Sequence, residues 1–70
     1  MAERRLGNRL KEARAVLGLT QADLALRAGV SRKTINTIEN GVFVPSSLLA
    51  LVLARELGEA VEALFFLVDE

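Results

Sequence analysis

Apolar residues recur at helical spacing along most of the chain, and glycines divide the pattern into segments. The first segment ends at Gly18 and has one apolar face, formed by Leu6, Leu10, Ala13 and Leu17. The second begins at Gln21, after the good N-cap residue Thr20, and ends at Gly29. Gly29 is expected to have a positive φ, which glycine adopts without a Cβ clash.

The third segment is short and is followed by an apolar loop. Ser31 is expected to cap a helix that ends at Asn40-Gly41, two residue types that tolerate the left-handed conformation. The sequence VFVP, residues 42–45, is expected to be extended, because a residue before proline is pushed out of the helical region.

The C-terminal part predicts one long helix, one short helix and a strand. The long helix is capped by Ser46 or Ser47 and ends at Gly58, and residues 59–64 are expected to form the short one. Residues 65–70 are β-branched and aromatic enough for a strand. The pattern predicts a single all-α domain over residues 1–70, compact and five-helical, with a short C-terminal β-strand.

The second and third helices lie so close in sequence that they are expected to meet at a steep angle. A three- or four-residue turn between two such helices forms a helix-turn-helix, here about residues 21–40, whose second helix enters the major groove of DNA. Ala25 is expected where the helices cross most closely. The residues expected to face inward are Leu24, Ala28, Val30, Ile35 and Ile38.

The third helix has a polar outward face. With its two isoleucines inward, positions 32, 33, 36, 37 and 40 point outward on a 3.6-residue period. They carry Arg, Lys, Asn, Thr and Asn, which are donors for guanine, a bidentate amide for adenine and a methyl group for thymine. A plain solvated surface is the alternative, but such surfaces usually include acids and this one has none. The face therefore favours base reading.

Three stretches together resemble the Cro/repressor-type, or XRE-type, helix-turn-helix DNA-binding proteins. They are LGLTQADLALRAGVS, TINTIENG, and VPS followed by an aliphatic helix, and the resemblance runs from about Leu6 to Leu57. It implies a five-helix, lambda-repressor-like domain with residues 31–40 as the recognition helix. It also implies a prokaryotic, cytoplasmic regulator of transcription whose partner is double-stranded DNA.

The resemblance and the outward face together assign roles to individual residues. The base-reading positions are Ser31, Arg32, Lys33, Asn36 and Thr37. The positions assigned to phosphate are Gln21, Thr34, Asn40 and Arg9. Glu39 matches a glutamate that pairs with an arginine of the first helix, here Arg14. A partly buried pair of this kind would fix the first helix against the recognition helix.

The loop after Gly41 departs from the family pattern, in which a basic, an aromatic and a polar residue precede the proline. Phe43 matches the aromatic, but Val42 removes a phosphate contact and Val44 removes a polar one. The two valines indicate either weaker DNA binding or a loop that packs against a second copy of the chain.

Composition narrows the classes of function. The 70 residues include no cysteine and no histidine, so disulfides, thiolate metal sites and the commonest general base are absent. No nucleophile–base pair or phosphate-cradling glycine loop is visible, and we expect no enzyme activity, no metal and no cofactor. No apolar run approaches the roughly 18 residues of a membrane span. We therefore expect no membrane partner.

The net charge of zero conceals an asymmetry between the two parts of the chain. Residues 1–40 hold eight basic and four acidic residues, a net charge of +4, and residues 41–70 hold one basic and five acidic residues, a net charge of −4. Such asymmetry can mark a part that binds a polyanion, although charge alone favours plain solvated surfaces.

The C-terminal segment, about residues 59–70, is expected to form a homodimer. Its apolar area is too large for a 70-residue monomer to bury, and a strand there could pair antiparallel with its symmetry mate. Packing of a fifth helix within the monomer is the alternative. The dimer residues are Val61, Leu64, Phe65, Phe66, Leu67 and Val68. A twofold dimer would carry its recognition helices on the opposite, basic surface and read a palindromic operator.

Four functions compete for this chain. The leading hypothesis is a homodimeric, sequence-specific repressor. An antitoxin-type autoregulator would share the fold and bind a toxin protein through the apolar tail or the 42–44 loop. A protein-interaction module without DNA binding would show almost no salt dependence of DNA affinity. The fourth function, an enzyme, is set aside because the sequence offers no nucleophile–base pair.

Overall fold

The computed structural model describes residues 4–69, which form five helices and one two-stranded sheet. The predicted fold class, five helices with a short C-terminal strand, is confirmed, and residue 70 of the predicted strand lies outside the described residues. In chain order the elements are β1 Arg4–Asn8, α1 Leu10–Leu17, α2 Gln21–Ala28, α3 Arg32–Glu39, α4 Ser47–Leu57, α5 Val61–Leu64 and β2 Phe65–Asp69.

The N-terminal strand corrects the predicted start of the first helix. Leu6 lies in β1, and α1 begins only at Leu10. Gly7 and Asn8 are poor helix formers, and the Asn8 side chain instead accepts a hydrogen bond from the Leu10 N–H at 3.2 Å, next to the first turn of α1. Leu17, expected inside, is 49% exposed. The predicted helix was therefore one turn too long at its start, whereas its predicted end at Gly18 is confirmed.

The C-terminal strand pairs within the chain. β2 runs antiparallel to β1, with Leu6 opposite Leu67 and Asn8 opposite Phe65. The sequence predicts pairing of this strand with its symmetry mate, but β1, which includes Leu6 of the expected first helix, is its partner within the chain. An exposed ion pair between Arg4 and Asp69, with 3.2 Å between Arg4 Nε and Asp69 Oδ1, lies at the far end of the sheet.

Side chains and glycines set the helix ends as predicted. Thr20 accepts the Asp23 N–H at 3.0 Å while Asp23 accepts the Thr20 N–H at 2.9 Å, a reciprocal capping box at the start of α2. Ser31 and Ser46 accept backbone N–H groups of α3 and α4. At the end of α3 the left-handed residue is Gly41, with φ 74°, whereas Asn40 keeps φ −85°.

One apolar cluster holds the helices together. Ala25 is 3% exposed within the helix-turn-helix, where a larger side chain would separate the helices. Ala28 and Val30 are half-buried against the same cluster. The fully buried large side chains are Leu10, Leu24, Ile35, Ile38, Leu53 and Leu64.

The described residues contain neither a membrane-length apolar helix nor a metal-type cluster. No helix between residues 4 and 69 is long and apolar enough to cross a bilayer. The same stretch has no group of three or more Asp and Glu side chains placed to hold a metal ion.

Gly29 provides a test of the turn between α2 and α3. Its φ is 73°, and a Cβ placed there would meet no atom within 4 Å, so backbone strain alone penalises substitution. We expect Gly29→Ala to lower the free energy of unfolding by about 1–2 kcal/mol, measured by urea denaturation. Gly29→Asn is the matched control and should cost less, because Asn tolerates the left-handed region. A Gly29→Ala protein as stable as the wild type would contradict this explanation.

Candidate nucleic-acid interface

Helix α3 presents a polar face away from the core. Ile35 is fully buried and Ile38 is 2% exposed, and together they fix the rotation of the helix about its axis. As a result Thr37 is half-buried, and the side chains exposed to solvent on the outer face are Arg32, Lys33, Asn36 and Asn40. The structure thus brings the predicted base-reading positions together on one surface.

Three hydroxyl groups near this face are engaged with the helix itself. Ser31 Oγ accepts the Thr34 N–H at 3.1 Å, and the two hydroxyls lie 2.9 Å apart. Thr37 Oγ1 lies 3.0 Å from the carbonyl oxygens of Lys33 and Thr34. The Thr37 hydroxyl is occupied by the backbone, so its methyl group is the part left for an outside contact.

A bidentate ion pair connects the first helix to the end of α3. Arg14 Nε donates to Glu39 Oε2 at 2.7 Å, and Arg14 Nη2 donates to Glu39 Oε1 at 3.0 Å. The side chains are only 13% and 7% exposed. Arg14 Nη1 also donates to the Leu19 carbonyl at 2.9 Å, which ties the pair to the loop before α2. The pair expected from the sequence is therefore formed, and it joins α1, α3 and that loop.

Gln21 extends this network onto the outward face. Its Nε2 lies 3.1 Å from Glu39 Oε1 and 3.2 Å from Asn36 Oδ1, so it donates to both. Asn40 Nδ2 approaches the same Asn36 oxygen at 3.4 Å. A continuous set of polar contacts thus leads from the mostly buried guanidinium to Asn36. These contacts hold the Asn36 amide in one orientation.

The network also determines the protonation states of Glu39 and Arg14. Burial raises the pKa of the Glu39 carboxyl, but hydrogen bonds from Arg14 and Gln21 and the charge of Arg14 together lower it more, so the pKa lies below its ordinary value of 4.5. The hydrogen bond to Glu39 in turn raises the pKa of Arg14. Both groups are charged at neutral pH.

Arg9, one of the positions assigned to phosphate, lies beside an aromatic ring of β2. Its guanidinium carbon lies 5.0 Å from the centroid of the Phe66 ring, a cation–π contact. It shares a surface groove with Glu12, Glu59 and Glu62. These carboxylates disfavour an anion beside Arg9, and its assignment to phosphate stays a prediction.

The apolar C-terminal segment is divided between core and surface. Leu64 is 1% exposed and Phe65 is 8% exposed within the domain's own core, so neither is available to a partner, which corrects two of the dimer assignments. Val61 is half-buried and packs against that core. Phe66 and Val68 are half-buried at the surface, and Leu67 is 63% exposed.

A family profile described as a helix-turn-helix domain matches residues 7–70. The chain belongs to the helix-turn-helix family.

Relatives from two domains of life share almost the whole helix-turn-helix chain. An uncharacterised HTH-type transcriptional regulator of Methanocaldococcus jannaschii is 46% identical over 63 residues, 90% of this chain and 96% of the relative. One of Bacillus subtilis is 41% identical over 63 residues, with the same coverage. The restriction-modification controller protein C.AhdI of Aeromonas hydrophila has a TM-score of 0.73 at 31% identity, over 77% of this chain and 82% of that chain.

Asn8 is a positioning residue of this helix-turn-helix domain that sequence reasoning missed. Its Nδ2 donates to the Ile38 carbonyl at 3.0 Å, thirty residues away, near the C-terminal end of α3. Its Oδ1 accepts the Leu10 N–H at 3.2 Å. One amide therefore joins the sheet, α1 and α3. The signal was an asparagine between Gly7 and the first buried leucine, a place better suited to a cap than to a helix interior.

Removing one partner of the ion pair tests its structural importance in this helix-turn-helix domain. Arg14→Met leaves Glu39 mostly buried without its counter-charge, and we expect a loss of about 3 kcal/mol in the free energy of unfolding. Arg27→Met, at an exposed arginine of α2, is the matched control and should change stability by less than about 0.5 kcal/mol. Urea denaturation at pH 7 measures both. An Arg14→Met protein as stable as the wild type would show that the ion pair is dispensable for folding.

Acid should weaken the same pair. Because the folded-state pKa of Glu39 is depressed, its contribution to stability is complete above about pH 4.5, the ordinary glutamate value, and is lost as the pH falls through the lower folded value. We expect stability to drop in this range in the wild type. Glu39→Gln should lack this component while retaining that of Asp23, whose pKa is lowered by its hydrogen bonds to Thr20. Stabilities of the wild type and of Glu39→Gln that fall in parallel as the pH is lowered would contradict the assignment of this component to Glu39.

Proposed function

We propose that this chain is a sequence-specific regulator that binds double-stranded DNA through α3. The observation that carries the proposal is the outer face of α3, where positions 32, 33, 36, 37 and 40 present cations, amides and a methyl group without any carboxylate. A carboxylate would be repelled by phosphate. Membership of a family whose relatives are called transcriptional regulators supports the same function.

Each outward side chain matches a particular base edge. Arg32 and Lys33 are donors for guanine O6 and N7, and Asn36 has the amide that suits adenine N6 and N7. Thr37, with its hydroxyl engaged by the backbone, offers a methyl contact to thymine. Gln21 braces Asn36 and lies at the start of α2, where a phosphate would meet it. Ser31 and Thr34 complete the surface at the first turn of α3.

We also propose a homodimeric state and a palindromic operator. A single recognition helix reads only about four or five base pairs, and a twofold dimer presents two of them to half-sites one DNA turn apart. The simplest regulatory effect is repression, in which the bound dimer blocks a promoter. In a prokaryotic cell this action takes place in the cytoplasm, and neither catalysis nor a cofactor is needed.

Arg32→Ala is the direct test of base reading. We expect binding to the preferred site to weaken by about 1–3 kcal/mol and the selected motif to lose its preference at one position in each half-site. Selection of sites from random DNA duplexes, followed by titration of the best site, measures both effects. Arg55→Ala, at an exposed arginine of α4, is the matched control and should leave the motif unchanged.

Two outcomes would contradict this function. A motif that is identical for the wild type and Arg32→Ala would exclude that residue from base reading. A DNA affinity that hardly changes between low and high salt would exclude phosphate contact altogether, because such contacts release counterions. The second result would favour a protein-interaction module.

A further inference from the structure

The outward amide of Asn36 has its carbonyl oxygen occupied by two other side chains. Gln21 Nε2 donates to Asn36 Oδ1 at 3.2 Å, and Asn40 Nδ2 approaches the same oxygen at 3.4 Å. An amide oxygen has two lone pairs, so these two donors use its accepting capacity. The Asn36 side chain is nevertheless exposed to solvent. The part of this amide that remains for an outside partner is therefore its Nδ2 group.

The ion pair inside the protein determines which way round these amides lie. The Arg14 guanidinium can only donate, so the Glu39 carboxylate that it contacts is the acceptor. A carboxylate has no hydrogen to give, so the Gln21 atom that lies 3.1 Å from Glu39 Oε1 is the nitrogen. The second hydrogen of that nitrogen is donated to Asn36, whose facing atom must then be the oxygen. Alternating donors and acceptors thus fix the Asn36 amide from within the domain.

Gln21 has no side-chain hydrogen left for DNA in this arrangement. Its amide nitrogen carries two hydrogens, and Glu39 and Asn36 each accept one of them. A phosphate oxygen needs a donor, which the Gln21 side chain then lacks. The residue is half-buried beside the exposed Asn36. We therefore expect Gln21 to act on DNA through Asn36, as a positioning residue.

The fixed orientation of Asn36 limits the bases that it can recognise. Among residues 4–69 the hydrogen bonds of the Asn36 side chain all end on its oxygen. An unconstrained asparagine amide suits adenine, because it accepts from N6 and donates to N7. The accepting half of that match is already in use here. Cytosine presents only the N4 donor in the major groove, so it also lacks an acceptor for the Asn36 nitrogen.

We propose that Asn36 reads a guanine by donating from Nδ2 to the N7 and O6 acceptors, and that Gln21 sets this choice by holding the Asn36 oxygen. Guanine is the base whose major-groove edge carries two acceptors and no donor. Adenine would place its N6 hydrogens against an amide that can only donate. The proposal rests on the proposed function for DNA binding through α3. It replaces adenine, which suits an unconstrained amide, by guanine.

Selection of sites from random DNA duplexes, with the wild type and with Asn36→Ala, identifies the base that Asn36 reads. It is the position of the motif at which Asn36→Ala loses its preference, and we expect a G·C pair there in the wild-type motif. Replacing that guanine by 7-deazaguanine removes the N7 acceptor and leaves the pairing with cytosine intact. This replacement should weaken binding of the wild type about tenfold and should hardly affect Asn36→Ala.

Gln21→Met tests the positioning role with a side chain of similar length that cannot donate. The released Asn36 amide can turn over and match adenine, so the preference for guanine over adenine at that position should fall about tenfold. Loss of a phosphate contact would instead weaken binding to all sequences alike. Arg27→Met, at an exposed arginine of α2, is the matched control and should leave the motif unchanged. Thermal melts verify that both variants fold.

A measurement on the DNA-free protein tests the contact between Gln21 and Asn36 directly. The sequence has four side-chain amides, at residues 8, 21, 36 and 40, so their NMR signals are few. We expect an order parameter above about 0.6 for the Asn36 NH₂ group in the wild type and a lower one in Gln21→Met. Asn40→Ala removes the more distant donor. It should lower both the order parameter and the guanine preference by less than Gln21→Met does.

The outcomes separate this proposal from the proposed function. An A·T pair at the Asn36 position, or a wild type that binds 7-deazaguanine as well as guanine there, would overturn the reading of guanine and leave DNA binding through α3 in place. The same holds for a motif that Asn36→Ala or Gln21→Met leaves unchanged, and for an Asn36 amide as mobile in the wild type as in Gln21→Met. A wild type that selects no motif at all would overturn the proposed function and this inference with it.

Discussion

The bidentate contact between Arg14 and Glu39 is the constraint on which the arrangement of the outward face depends. Two charges that are almost entirely removed from water are tolerated only when they meet with good geometry and further hydrogen bonds. Arg14 meets this condition with three donors and Glu39 with three acceptor contacts. Because Gln21 shares the carboxylate with Arg14 and also holds Asn36, the orientation of a surface amide is determined by a contact inside the protein.

Local chemistry explains which parts of the fold could be predicted from the sequence. Helix caps depend on one side chain and a backbone N–H a few residues away, so Thr20, Ser31 and Ser46 were sufficient to place three helix starts. The positive φ of Gly29 was predictable in the same way, because it depends only on the local backbone at the end of α2. The outer face of α3 was predictable because two buried isoleucines fix the rotation of a short helix. For the ion pair, the sequence pointed to Glu39 and Arg14 only through the resemblance to a family.

The errors came from contacts between residues far apart in the chain. No local signal in residues 4–8 names residues 65–69 as their partner, and the apolar Leu6 fits a helical period as well as a strand. Once β1 is present, β2 has a neighbour within the domain, and two of the apolar tail residues, Leu64 and Phe65, are buried in the core. The contact of Arg9 with the Phe66 ring was unpredictable for the same reason, since the two residues are more than fifty positions apart.

The antiparallel pairing of β1 with β2 has a consequence for the order in which the protein is made. The two helices of the helix-turn-helix are close in sequence, so contacts between them form more readily than the pairing of β1 with β2. β1 is synthesised before them but gains its partner only when residues 65–69 emerge. The sheet is thus completed last, and Asn8, which joins β1 to the end of α3, gains its neighbouring strand only when synthesis is almost finished.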